Sequence, residues 1–360
     1  MLRIPSPEPS AGRVIATLKE GYWDRTTVVE LPDGSSRVRK SNNAAAAAQP
    51  WGVESLRREI CYLTTLPPHA AAVLPPVLAC WDRQRNGGPD LGYETPFYSR
   101  HRDAGAFAQS GELVQSEIDE FQEALAHAVL DRLHDPLTAP ALLSEHIVTT
   151  MREGLKRLSQ DELPLVPLID APAIALNGRP ALGPRAALEQ VVSATDVLAV
   201  IDAAPSVRLH GDLFLENILW RSATVPSDEP RLILIDPVSV AGISCGPPIF
   251  DLVKYQSYAT GELLGLRTAR VEVSGIGGAT HEYRWRIRTE DAALQPFRQR
   301  DWYRKFRRAF EVRHGAPDAR LGHLIDAYFS VAMAVNTTGL QRQARLLKAT
   351  SELNALLGPR

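Results

Sequence analysis

The chain has 360 residues, 44% hydrophobic and 23% charged, which is the make-up of a soluble globular protein with a core of its own. A formal net charge of −2 gives no electrostatic footing for nucleic acid or an anionic membrane, and no apolar run approaches the ~18 residues of a membrane span. Three scattered cysteines, Cys61, Cys80 and Cys245, lack the paired spacing of a disulfide framework or a zinc site, and the first thirteen residues hold three prolines and no apolar run, unlike a secretory signal, so a cytoplasmic protein is expected.

The N-terminal hundred residues read as strands around one helix. Val14 to Leu18 and Thr26 to Leu31 are apolar or β-branched runs on either side of Gly21. Pro32-Asp33-Gly34-Ser35 is a hairpin turn, because Asp-Gly tolerates the positive φ angles of a tight reversal, and Ser36 to Lys40 returns from it. Residues 41–50 carry five consecutive alanines after Asn42-Asn43 and read as a mobile loop. Glu54 to Leu66 places Leu56, Ile60, Leu63 and Leu66 on one helical face before Pro67-Pro68 ends it. Val73 to Cys80 and Leu91 to Tyr98 read as strands, joined through the turn Asn86-Gly87-Gly88-Pro89.

Helices dominate afterwards. Ser110 to His134, Leu143 to Ser159 and Arg185 to Ala203 are candidates, with a proline-rich connection from Leu163 to Pro184. Ala269 to Val273 and Tyr283 to Ile287 alternate across a glycine turn and predict a hairpin, and Gln295 to Leu357 is mostly helical. No internal repeat is visible.

The chemistry concentrates in His210-Gly211-Asp212-Leu213-Phe214-Leu215-Glu216-Asn217, which follows the strand-like Val207 to Leu209. Nineteen residues after Asn217, the apolar run Leu232 to Ile235 delivers Asp236. Phosphoryl transfer with magnesium asks for such a set: one carboxylate facing the attacking hydroxyl and two oxygen ligands for the metal. A bare His-Gly-Asp tripeptide would be weak evidence; the pattern through Asn217, with a strand and an aspartate at this distance, is specific.

With these residues the chain resembles the aminoglycoside phosphotransferase and choline kinase-like superfamily of small-molecule kinases, relatives of the protein kinases. The resemblance is specific over residues 207–220 and 232–255. It implies an α+β, two-lobed protein-kinase-like fold, with residues 1–98 as a small β-rich nucleotide-binding lobe. Residues 99–360 would form a larger, mainly helical lobe with a β-hairpin, for catalysis and acceptor binding. By the same resemblance Asp212 is the catalytic base or orients the acceptor hydroxyl, and Asn217 and Asp236 hold Mg2+. Lys40 meets the phosphates of ATP or GTP and is held by Glu59, which the family's spacing favours over Glu54. His210 braces the loop rather than acting as a base.

Lys19 to Arg25 would be the phosphate-covering turn, with Gly21 as its single glycine where protein kinases carry G-x-G-x-x-G. Tyr93 to Tyr98 resembles the hinge that meets the adenine edge, through the main chain of Glu94 and Phe97. Gly246 to Tyr255 resembles the family's G-D-P-x-x-D-L-A stretch; Pro248 and Asp251 match, Pro247 stands where Asp is usual, and Asp251 reads as a structural helix cap.

Phe214 occupies the place of the lysine that protein kinases of this lineage carry, and no A-P-E follows Asp236. Both departures favour a small hydroxylated acceptor, such as an aminoglycoside or other antibiotic, a sugar or an amino alcohol, over a protein. Arg284, Arg286, Arg288, Arg298, Arg300, Arg304, Arg307 and Arg308 read as a solvated face or as a site for an anionic acceptor. A catalytically silent nucleotide-binding module is the alternative function class; the oligomeric state is open.

Overall fold

The computed structural model describes residues 8–21, 24–43, 50–85, 88–137, 142–194, 196–223, 225–226, 228–238 and 242–358. The chain divides into two compact units, one of Met1–Phe107, Glu123–Asp135 and Arg208–Ser244, the other of Ala108–Gln122, Pro136–Val207 and Cys245–Arg360.

The first unit is built on an antiparallel sheet of five strands: β1 (Arg13–Glu20), β2 (Asp24–Glu30), β3 (Ser36–Asn42), β4 (Ala79–Arg85) and β5 (Gly88–Pro96), in the order β1-β2-β3-β5-β4. The hairpin at Asp33-Gly34 forms as its residues dictate. Gly34 takes φ +82°, and the Asp33 carboxylate accepts the Ser35 N–H at 2.9 Å. Helix α1 (Pro50–Thr65) lays Val53, Leu56 and Ile60 against Cys80, Leu91 and Tyr93 of the sheet. Of residues 41–50, expected to be a mobile loop, Ser41 and Asn42 belong to β3 and Pro50 opens α1, while 44–49 lie outside the described residues.

The strand expected over Val73 to Cys80 begins instead at Ala79. Pro75 and Pro76 have no N–H to give to a ladder, and a short helix at Pro68–Ala71 uses the chain just before them. Later in this unit, strands Ile218–Trp220 and Leu232–Leu234 pair antiparallel, with Arg102–Asp103 on the other side of Ile218–Trp220.

The second unit is mainly helical. Helices Ser144–Asp161, Ala319–Val335 and Gly339–Leu356 are its longest. The helix expected over Arg185 to Ala203 is two, Pro184–Ser193 and Asp196–Ala203. The hairpin Val271–Ser274 and Glu282–Ile287 forms where the alternation predicts, and it belongs to a four-stranded sheet. Its other two strands, Ile174–Leu176 and Arg179–Ala181, lie inside the proline-rich stretch expected to be a plain connection. Their turn is Asn177-Gly178 at φ +52° and +78°, the two-residue reversal that an Asn-Gly pair favours. Asp251 is fully buried in the first turn of helix Ile249–Ala259, where a carboxylate suits the free N–H groups, although Pro248 is the capping residue.

Of the arginines expected to form either a solvated face or an anion site, three already hold carboxylates of this unit. Arg286 pairs with Glu272 at 2.6 Å and Glu290 at 3.0 Å, Arg304 with Asp301 at 3.1 Å, and Arg307 with Glu311 at 2.8 Å.

Lys348 is buried among three carboxylates, its Nζ 2.5 Å from Glu262, 2.6 Å from Asp326 and 3.8 Å from Glu352, while His323 Nδ1 lies 2.6 Å from Glu352. Several of these residues line a cavity of about 340 Å³ with Ile249, Leu252 and Val253. Burial pushes the Asp326 carboxyl up to about 7, from 3.8, against the pull of Lys348. An acid raised in the folded state favours folding when protonated, so its contribution is complete below pH ~4 and is lost as pH climbs to ~7. Asp326→Asn is therefore expected to gain stability relative to the parent as pH rises from about 5 to 8. Thermal melts of both proteins across that range check this; a constant gap between them would remove Asp326 as the titrating group.

Candidate active site

The loop from His210 to Asn217 is held in place by its own sequence. Gly211 has φ +79°, and a Cβ there would lie 2.4 Å from the Ile243 carbonyl oxygen, so only glycine fits. His210 is fully buried. Its Nε2 is 3.0 Å from the Ile235 carbonyl and its Nδ1 lies 3.3 Å from the Asp212 N–H, a pairing that puts the ring proton on Nε2. His210 thus ties the loop to the strand that leads into Asp236. The main chain repeats the tie: Ile235 N–H donates to Asn217 O at 2.9 Å, and Val238 N–H to His210 O at 2.8 Å. Tyr62 of α1 adds a third tether, its hydroxyl donating to the Leu209 carbonyl at 2.8 Å.

Inside the loop, the Asn217 amide nitrogen donates to the Asp212 carbonyl at 2.9 Å and to its carboxylate Oδ2 at 3.1 Å. Asp212 is 6% and Asn217 7% exposed, so both side chains are fixed and nearly dry. With its nitrogen committed to Asp212, the Asn217 amide oxygen faces the opposite way. Asp236 adopts φ +52°, a conformation aspartate tolerates, while Val238 at φ +62° carries a β-branched side chain there, a strain of about 1–3 kcal/mol.

Lys40 joins this group from β3. Its Nζ lies 2.9 Å from Glu59 Oε2 on α1 and 3.1 Å from Asp236 Oδ1, a residue 196 positions away in sequence. Strand alternation explains the choice. Lys40 points to one face and is 3% exposed, while Arg37 and Arg39 turn to the other face and bind Glu94. Glu54, the rival partner for Lys40, pairs instead with Arg57 at 2.9 Å and Arg58 at 3.4 Å. Tyr93 completes the cluster, its hydroxyl donating to Glu59 at 2.8 Å.

The charges in this cluster are set by burial working against pairing. Burial alone would lower the Lys40 ammonium, but Asp236 and Glu59 hold it well above its ordinary range. Burial pushes the Asp236 carboxyl up, yet Lys40 and Lys19 outweigh it and keep the acid below the usual carboxylate range. For Glu59 burial wins, and its carboxyl rises to about 7.

Gly21 closes β1, its N–H donating to the Asp24 carbonyl at 2.8 Å. The turn expected to cover phosphates spans Lys19 to Arg25, but the ion pairs made by its Lys19 and Asp24 side chains were not expected. Asp24 brings its Oδ2 within 3.6 Å of Lys40, and Lys19 brings its Nζ within 3.7 Å of Asp236. Nothing in an isolated Lys or Asp signals such a placement; their position beside Gly21 in a strand–turn–strand was the available cue.

Glu94 lies within β5, where its carbonyl accepts the Leu78 N–H at 2.8 Å and its side chain, 0% exposed, binds Arg39 at 2.7 Å. Its main chain is thus committed to the sheet on the acceptor side. Phe97 follows the last residue of β5, and its main chain makes no hydrogen bond among the described residues.

As a donor set, the Asn217 amide oxygen and the Asp236 carboxylate are the hard oxygen ligands that magnesium takes while keeping several waters. Among the described residues no group of three or more His, Cys, Asp or Glu side chains is placed to hold a metal.

No protein-family model and no curated protein sequence matches this chain. Solved structures similar to it include an amicoumacin kinase in complex with AMP-PNP and Ca2+, 10% identical over 97% of this chain and 91% of that one, with a TM-score of 0.48. A glucosamine kinase with glucosamine, ADP and phosphate is 14% identical over 99% of this chain and 95% of that one, at a TM-score of 0.40. A choline kinase from Cryptosporidium parvum Iowa II is 12% identical over 96% of this chain and 88% of that one, also at 0.40.

Proposed function

We propose that this protein is a magnesium-dependent phosphotransferase that moves the γ-phosphate of ATP or GTP to a hydroxyl of a small molecule. One observation carries the reading: Lys40 Nζ sits between Glu59 and Asp236, at 2.9 and 3.1 Å, beside the loop that pairs Asp212 with Asn217. A cation held by a carboxylate behind it and facing a candidate metal ligand suits nucleotide phosphates. Asp212, nearly dry and fixed by Asn217, orients the acceptor hydroxyl and takes its proton. Asn217 and Asp236 would hold the magnesium, which supplies charge neutralisation for the phosphates. The Phe97 main chain would meet the base, with residues 1–98 serving the nucleotide and residues 99–360 the acceptor. Phe214, 6% exposed, presents no cation beside Asp212, which supports a small acceptor over a protein.

The test is nucleotide-dependent stabilisation with and without magnesium. A ligand at 100 times its Kd stabilises by about 2.7 kcal/mol, a readily measured shift in melting temperature. If neither ATP nor GTP gives a magnesium-dependent shift, the proposal fails. ATP consumption against aminoglycosides, peptide antibiotics, nucleosides, sugars and amino alcohols then identifies the acceptor.

A further inference from the structure

We infer that Lys19 and Asp24, at the two ends of the β1–β2 turn, set the affinity of this site for nucleotide phosphate: Asp24 holds the phosphate's place on Lys40, and Lys19 is the second phosphate cation. This rests on the nucleotide-binding reading above.

Lys40 has more carboxylate neighbours than one ammonium requires. Glu59 is at 2.9 Å, Asp236 at 3.1 Å and Asp24 at 3.6 Å. Their exposures separate them. Glu59 is 4% exposed and lies behind the lysine, whereas Asp24 at 16% and Asp236 at 17% lie on its solvent side. An anion reaching Lys40 from solvent therefore meets these two. Asp236 follows directly on the strand and loop that hold Asn217, so it has a structural reason to be there. Asp24 is the first residue of β2, and the ion partner of its carboxylate is Lys40.

The turn is shaped to bring it in. Gly21 leaves room for the Asp24 carboxylate to fold back, since a Cβ at Gly21 would stand 2.0 Å from Asp24 Oδ1. With Asp24 in place, three carboxyl groups face two lysines, and the Asp24 charge opposes a polyphosphate. With Asp24 swung out, that opposition is removed. Lys19, 61% exposed and 3.7 Å from Asp236, is free to follow an incoming phosphate without leaving a buried site. In this arrangement a phosphate oxygen replaces the Asp24 carboxylate on Lys40, and Lys19 exchanges its carboxylate partner for the phosphate chain.

Titration calorimetry on the full-length protein tests this, with ATP, tripolyphosphate and adenosine as probes, against the parent, Asp24→Asn and Lys19→Met. Asp24→Asn is expected to bind ATP and tripolyphosphate roughly tenfold tighter, the scale of one charge removed from a partly screened site, and Lys19→Met to bind both several-fold more weakly. Adenosine, which carries no phosphate, should bind all three proteins equally. The phosphate effects should shrink as salt is raised. Unchanged or weakened ATP and tripolyphosphate binding in Asp24→Asn, while the parent binds ATP, overturns this inference and leaves the phosphotransferase reading intact. A parent that binds neither ATP nor GTP overturns both.

Discussion

Replacing Asp212 with asparagine is expected to lower turnover by about 10²- to 10⁴-fold while leaving magnesium–ATP binding nearly unchanged. That range is what a positioned proton acceptor contributes. Asparagine keeps the shape of the side chain and can still accept from the Asn217 amide, which lies 3.1 Å from Oδ2, so the loop should not rearrange. What it loses is the negative charge and the capacity to take a proton. The measurement is kcat with the identified acceptor beside a nucleotide titration. Turnover within a fewfold of the parent would take Asp212 out of the mechanism. A parallel loss of nucleotide affinity would say instead that Asp212 belongs to the nucleotide site.

The second large effect is on stability. Lys40→Met leaves Glu59 and Asp236 facing each other across the vacated position. Breaking a buried ion pair by removing one partner costs about 3–5 kcal/mol, chiefly for the uncompensated charge left behind. Here that charge has an escape. The Glu59 carboxyl already sits near 7 with Lys40 present, and losing the ammonium raises it further. A carboxyl raised in the folded state stabilises only while protonated, so the deficit of the variant should grow as pH rises past 7 and be larger near pH 8.5 than near pH 6. Urea denaturation of the parent and Lys40→Met at both values checks it. Adding Glu59→Gln should recover part of the loss at the higher pH. Equal deficits at both pH values, unaffected by Glu59→Gln, would mean that Glu59 is not the group left stranded.

Much of the architecture was readable because local chemistry and tertiary placement agree. Asp33-Gly34 can hardly do anything but turn, and the alternation of residues 269–287 can only sit as a half-buried hairpin. The same holds for His210 to Asn217, where glycine, histidine, aspartate and asparagine each have one physical reason to stand at their position. The failures came where two signals competed. Pro75 and Pro76 should have moved the fourth strand toward Arg85, but the apolar residues around them masked the missing N–H groups. Asn177-Gly178 was as plain a reversal as Asp33-Gly34, and the prolines on either side hid it. Lys40 stands beside Arg37 and Arg39 in the sequence. Only the sheet's two faces separate them, sending the arginines to Glu94 and the lysine to Glu59. The partners of Lys19, Asp24, Tyr62 and Tyr93 were out of reach, because they lie in strands and loops that no pattern brings together.

The first compact unit is assembled from three separate stretches of chain, and its central ion pair joins residues 196 positions apart. During synthesis, the sheet and α1 emerge first and can collapse around Lys40, Glu59 and Tyr93 alone. Asp236 and the loop at Asp212 reach them only after the intervening helices have left the ribosome. A nascent chain halted before residue 208 would therefore hold Lys40 and Glu59 without either aspartate, and would lack Leu209, the partner of the Tyr62 hydroxyl. Such long-range closure slows folding and lengthens the exposure of unfinished apolar surface. The geometry that gathers these charges thus places its last contacts late in the synthesis of the chain.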